Sequence, residues 1–190
     1  MITTESTSTS PTSAIDDSAD AVIRNHALMA AGGGLIPLPG LDTAAVMGLQ
    51  INMIKELSAL YDVPFRVADV RTILSCVITT GLAKLIGQVV NTYTTLFDGL
   101  GTFSDNLTNG LVAGAVTFGT GEIIQQHFRQ GGTIDNLNYI HFIDYYRIKI
   151  QEEDLIPKDI LQIENSIRSV LAALDTGSIT SQQNTTPHGR

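Results

Sequence analysis

The stretch Ala30-Ala31-Gly32-Gly33-Gly34-Leu35-Ile36-Pro37-Leu38-Pro39-Gly40-Leu41-Asp42 constrains the fold more than any other part of the chain. Proline at 37 and 39 fixes φ and pushes Ile36 and Leu38 toward extended backbone, while the flanking glycines permit the chain to turn. One helix therefore ends here and another begins. Solvated turns are rich in Asn, Asp and Ser, whereas this one carries Leu35, Ile36, Leu38 and Leu41, so it is expected to be covered by protein or lipid. Leu35, Ile36, Pro37, Leu38, Pro39, Gly40, Leu41 and Asp42 together form a candidate packing or membrane-docking element.

On either side of this break every convincing period is helical. A first helix is expected from about Ser18 to Ala31, with Val22, Ile23, Ala27 and Ala30 inward. A second begins near Leu41, carries Ala45, Leu49, Met53, Leu57 and Leu60 with Val46, Met47, Ile51 and Ile54 on its flank, and should be buried nearly all round. Tyr61-Asp62-Val63-Pro64 ends it, because proline cannot continue the hydrogen-bond ladder. A third follows with Val67, Val70, Leu74, Val77, Gly81 and Leu85 on one face, reaching about Leu96. The charge-free run Asn106 to Gly121 then becomes amphipathic up to Arg129, before Gly131-Gly132. Its small residues at Gly110, Gly114, Ala115 and Gly119 imply close helix approach. Thr133 is a plausible cap for a fifth helix through Gln151, with Leu137, Ile140, Tyr145 and Ile148 on one side and Phe142, Ile143, Tyr146 and Ile150 on the other. A strand is the alternative there, because β-branched and aromatic residues dominate. Pro157 and the stripe Ile160 to Leu174 mark a last helix.

The expected fold is all-α: a bundle of five to six helices with apolar hairpins. At 190 residues one domain is the natural solution. Residues 1–20, rich in Ser and Thr, read as a disordered tail without the features of a secretory signal, residues 21–174 as the helical domain, and residues 175–190 as a second tail. Charged residues make up only 16 %, below the roughly 25 % of soluble domains, so a fully solvated surface would be short of charge. A net charge of −8 argues against nucleic acid as a partner.

Chemistry is sparse. Gly32-Gly33-Gly34 follows a helix instead of a strand and has no Lys or Arg near a helix start, so it reads as a hinge and not a phosphate cradle. His26, His127, His141 and His188 lack metal-ligand spacing, with each other or with Cys76, and structural or solvated roles are expected. Cys76 sits in an apolar run and reads as a buried thiol. Asp16-Asp17 and Glu152-Glu153-Asp154 read as solvated faces, and Tyr139, Tyr145 and Tyr146 as helix packing or a membrane-interface belt. No catalytic set, metal site or cofactor site can be assembled, so the chain is not expected to be an enzyme. Lys84 is the sole charge between Arg71 and Asp98. If Thr72–Phe97 spanned a bilayer, Lys84 would cost on the order of 3 kcal/mol unless it faced protein or water. In a soluble bundle it would mark an exposed stripe with Thr80 and Gln88. The Gly110 run with its flanks also approaches the length of a span.

Leu35 to Asp42, followed by Gln50-Ile51-Asn52-Met53-Ile54-Lys55-Glu56-Leu57 and Tyr61, and later by Gln126-His127-Phe128-Arg129-Gln130-Gly131-Gly132, resembles the bacterial YcjF-like family, domain of unknown function 697, over roughly Ala21 to Gly132. The resemblance implies an all-helical, often membrane-associated module that accompanies a small GTPase. It brings no catalytic residues, and no G-x-x-x-x-G-K-[ST] occurs here, so a GTPase partner is expected on a separate chain. The expected function is a noncatalytic membrane-associated helical adaptor or scaffold, binding a GTPase or a second copy of itself, on the cytoplasmic side of the bacterial inner membrane. The alternative is a soluble, cytoplasmic all-helical protein with an apolar groove for a ligand or partner.

Overall fold

The computed structural model describes residues 11–33, 42–77 and 102–151, together with Gln162 and Ser166. These form five α-helices and one short 3-10 turn: α1 Pro11–Gly33, α2 Asp42–Leu60, α3 Val67–Val77, α4 Thr102–Arg129, the turn Ile134–Asn136, and α5 Tyr139–Gln151. No strand occurs among the described residues, so the strand alternative for the fifth element fails. The break at 35–41, Lys84, and the expected helix beyond Pro157, apart from Gln162 and Ser166, lie outside the described residues.

The helix α1 starts earlier than its sequence suggests. Its first residue is Pro11, whose fixed φ suits a first turn, so residues 11–20 are helix and not tail. Ser18, near the expected start, is interior to the helix and donates its hydroxyl to the Ala14 carbonyl one turn back at 2.8 Å. The buried stripe accordingly extends to Ala19 and continues through Ile23, His26, Ala27, Ala30 and Ala31.

Three helices make the centre. The most extensive packing is α1 against α4, followed by α1 against α2 and α2 against α4. Both neighbours run antiparallel to α1. Gln125 donates to Asp20 at 2.7 Å, and a Cβ on Gly121 would stand 2.7 Å from the Ile23 side chain. Continuing that register places Ala27, Ala30 and Ala31 opposite the stretch Ala113 to Phe118, where Gly114, Ala115 and Thr117 are buried. Small residues on both helices leave room between them, which at Gly121 the Ile23 side chain takes up, whereas Gly119 faces the Tyr145 and Tyr146 rings of α5.

Against this seam α2 lays Met53, Ile54 and Leu57, joined in one core by Val70, Leu74, Ile123, Ile124, Phe128, Ile134, Phe142 and Tyr146. Each fully buried large side chain contributes roughly 1.5–3 kcal/mol. The expectation that α2 is buried nearly all round is not met. Ala45, Gly48, Asn52, Lys55, Glu56 and Ala59 are exposed, leaving a stripe of Gln50, Met53, Ile54, Leu57 and Ser58 inside. On α3, Val70 and Leu74 are buried but Val67 is 48 % exposed, and Cys76, two residues past Leu74 and so turned well away from the core face, is exposed. On α5 the face carrying Phe142 and Tyr146 points inward, while Ile140 and Ile148 are about half exposed.

Helix ends follow their residues. Asp62 takes the left-handed φ of 53° that closes α2, with the Val63 amide donating back to the Ser58 carbonyl at 2.8 Å. At the end of α4, Gly131 adopts φ 79°, its amide donates to the Phe128 carbonyl, and that of Gly132 donates to the His127 carbonyl, both at 2.9 Å.

The helix glycines separate by environment. A Cβ at Gly121 would also stand 3.1 Å from the Met53 sulfur, whereas one at Gly48, on an exposed face, would meet nothing within 4 Å. Gly121→Ala is therefore expected to destabilise the fold by about 1–3 kcal/mol through overpacking. Gly48→Ala should stabilise it by about 0.5–1 kcal/mol through helix propensity. Urea unfolding of the two variants measures both signs.

Candidate functional site

Among the described residues polar side chains tie the helices together at four places. At the base of the α1–α2 pair, Asp16 Oδ1 accepts from the Tyr61 hydroxyl at 2.8 Å and from Arg129 Nε at 3.0 Å, so one carboxylate joins α1, the end of α2 and the end of α4. Gln125 reinforces the same junction through Asp20. Burial, and then the bond to Asp16, push the Tyr61 hydroxyl above its ordinary ionisation range. Asp16 is thus a structural hub and not part of a solvated acidic face.

Farther along the pair, His26 is 6 % exposed. Its Nδ1–H donates to the Val22 carbonyl at 2.9 Å, which leaves Nε2 as an acceptor. The Asn52 amide donates to that Nε2 at 3.3 Å and to Glu56 Oε1 at 2.9 Å, and the carboxylate lies 3.7 Å from Nε2.

The third place is the end of α4. His127 Nε2 donates to Asn136 Oδ1 at 2.7 Å and to the Thr133 carbonyl at 3.0 Å, and Asn136 Oδ1 also accepts the Thr133 amide at 2.8 Å. A Cβ on Gly132 would stand 2.3 Å from His127 Nε2, so the ring occupies the space the glycine leaves. The His141 ring lies 6.1 Å from that of His127. On α5 the Tyr145 hydroxyl donates to Glu122, Lys149 Nζ sits 5.9 Å from the Tyr145 ring centre, and Tyr146 donates to the Val116 carbonyl at 2.7 Å. Tyr145 and Tyr146 are packing residues: a Cβ at Gly119 would approach both rings at 2.9 Å.

Of the residues singled out from sequence, Gly110, Gly114, Ala115 and Gly119 all lie buried on α4, and Asp42 opens α2. Among the described residues no group of three His, Cys, Asp or Glu side chains is placed to hold a metal ion. Nor is any described helix long and apolar enough to cross a membrane, so α4 is not the span that the length of the Gly110 run suggested.

The profile of the domain of unknown function DUF697 matches residues 4–143. The chain belongs to this family. The match begins ahead of α1 and takes in the Asp16 hub, and so reaches beyond the Ala21 to Gly132 stretch that carries the resemblance in sequence. This DUF697 chain is also similar to Magnetosome membrane protein 22 of Magnetospirillum gryphiswaldense, at 28 % identity over 135 residues that cover 70 % of this chain and 69 % of the relative. No solved structure matches it.

Two stretches that carry the DUF697 resemblance now have physical reasons. In Gln126 to Gly132, Phe128 fills the core, Arg129 reaches Asp16, His127 locks the turn, and Gly131 and Gly132 supply the backbone angle and the clearance. In Gln50 to Leu57, Met53, Ile54 and Leu57 are core while Asn52 and Glu56 reach toward His26. Sequence reasoning missed Asp16, Gln125, Asn52 and Glu56. The available signal was a polar residue interrupting an apolar stripe, as His26 does between Ile23 and Ala27.

Asp16→Ala leaves two donors without their acceptor and is expected to cost about 1.5–3 kcal/mol, mostly through Tyr61, since half-exposed Arg129 is screened by solvent. Tyr61→Phe should cost about 1 kcal/mol. Chemical denaturation of both, and of the double variant, checks that the losses are not additive. Complete burial raises the Tyr146 phenol above its ordinary value of 10.0. The unfolded chain ionises first as pH rises, so stability is intact below that value and declines above it. Phenolate absorbance followed alongside helicity should show Tyr146 ionising only as the helices melt, and Tyr146→Phe should lessen the alkaline loss.

Proposed function

We propose that this DUF697 protein is a noncatalytic, membrane-associated helical adaptor. It acts at the cytoplasmic face of a bacterial inner membrane, together with a GTPase domain that these 190 residues do not contain or with a second copy of itself. The observation that carries the reading is the similarity to Magnetosome membrane protein 22, which extends over more than two thirds of both chains. The low charge content supports it, as does the cluster of Leu35, Ile36, Leu38 and Leu41 between α1 and α2. In this reading α1, α2 and α4 form a braced body that presents Leu35 to Asp42 to the bilayer, the small residues Gly110, Gly114, Ala115 and Gly119 let helices pack closely along α4, and Lys84 faces a polar surface. Attachment in this reading works through the apolar segment, and it works best on lipid without negative charge, given the chain's net charge of −8.

Flotation with phosphatidylcholine vesicles tests this. The wild type is expected to rise with the vesicles. Leu35→Asp with Ile36→Asp should stay in the dense fraction while keeping its helicity, because each buried charge costs several kcal/mol. If the wild type itself stays in the dense fraction, membrane docking falls, and the alternative of an apolar groove for a soluble partner takes its place.

A further inference from the structure

The His26, Asn52 and Glu56 side chains form a relay with two possible pairings. We infer that it is a proton-operated latch between α1 and α2. In the neutral pairing the two hydrogens of the Asn52 amide serve two acceptors, His26 Nε2 at 3.3 Å and Glu56 Oε1 at 2.9 Å. A proton on Nε2 converts that nitrogen from acceptor to donor and sets it against the amide hydrogens of Asn52. Nδ1 cannot relieve the conflict, because it already donates to the Val22 carbonyl. The nearest carboxylate oxygen, Glu56 Oε1, stands 3.7 Å away and needs to move by under an ångström to accept a charge-assisted bond. Protonation therefore exchanges Asn52 for Glu56 as the α2 partner of His26.

Among the described residues the surroundings leave Glu56 as the group that answers the charge. On α2 the neighbouring Lys55 is exposed, about 100° round the helix from Glu56. On α4 the run Asn106 to Gly121 has no charged residue, and Glu122 accepts from Tyr145. On α1 itself Asp20 is held by Gln125, and Arg24 is exposed.

The exchange has a direction. Asn52 lies one helical turn nearer than Glu56 to the start of α2 at Asp42. Moving the tie from Asn52 to Glu56 shifts it one turn toward the Asp16–Tyr61 end. The facing ends of α1 and α2, next to Gly33 and Asp42, then lose their nearest polar bond and loosen. This inference is independent of membrane docking.

Two measurements on the full chain test the latch. Side-chain nitrogen spectra at about pH 8 should show the His26 ring protonated at Nδ1 and bare at Nε2. Amide hydrogen exchange, corrected for its intrinsic pH dependence, should become at least about threefold faster over residues 27–33 and 42–50 between about pH 7.5 and pH 5.5, with residues 121–129 unchanged. His26→Gln cannot take up the proton and should lose that response. Asn52→Ala should exchange fast at both values. Glu56→Gln keeps an acceptor oxygen but removes its charge, and should reduce the response below that of the wild type. The inference is overturned if the bare nitrogen is Nδ1, if the wild type shows no acceleration, or if His26→Gln keeps it.

Discussion

The close approach of α1 and α4 is the constraint on which the rest of the structure depends. Small residues line it from both sides, Ala27, Ala30 and Ala31 on one helix and Gly114, Ala115 and Gly121 on the other. With so little side chain between the helices, Ile23 reaches into the space over Gly121, and Met53 of α2 closes on the same point from a third direction. Where one glycine organises three helices, volume is set to within a methyl group, since a packed interior has no slack to absorb one more. The position of α2, and through it of α3, follows from that contact.

Polar ties set what the apolar seam leaves free. Dispersion and burial bring helices together without fixing how far one slides along another, whereas a hydrogen bond between named atoms does. Asp16 supplies that fix at one end, because Tyr61 and Arg129 converge on a single oxygen. His127 supplies it at the α4 end by binding Asn136 and the Thr133 carbonyl, which directs the chain into α5. Beyond the stability of their hydrogen bonds, both ties contribute register.

The helical character of the chain and the stops at Asp62 and Gly131 were legible in the sequence. Periodicity and backbone chemistry are local properties, and each residue carries its own part of them. The start of α1 was not legible, because Ser and Thr near a chain end resemble a tail until the partners of Asp16 are known, and those lie 45 and 113 residues away. Over-assigning burial on α2 had a similar cause. A run rich in Leu, Ile and Met reads as buried all round, but a helix packed in a three-helix centre uses one stripe, and Ala45 and Ala59 remain in solvent. Val67 and Cys76 on α3 belong to the same error: apolar character marks a candidate for burial, and the neighbours decide.

The two ends of the α1–α2 pair are held by chemically different groups, and that difference determines where the body can give. The Asp16 end rests on a carboxylate whose donors, a tyrosine hydroxyl and a guanidinium, keep their protons through the physiological range. The other end rests on an imidazole, whose Nε2 accepts when bare and donates when it carries a proton. Core packing around Leu57, Phe128 and Tyr61 surrounds the first tie, with the Tyr61 and Phe128 rings 6.1 Å apart. Around the second, Asn52 and Glu56 are exposed on α2, so their rearrangement displaces water and not core. A pair of helices pinned at a packed end and held by an exchangeable bond at the other behaves as a hinge whose stiffness is set at the open side. The uncharged α4 stretch beside His26 leaves Glu56 as the answer to a charge there, which makes the open side responsive to a single proton.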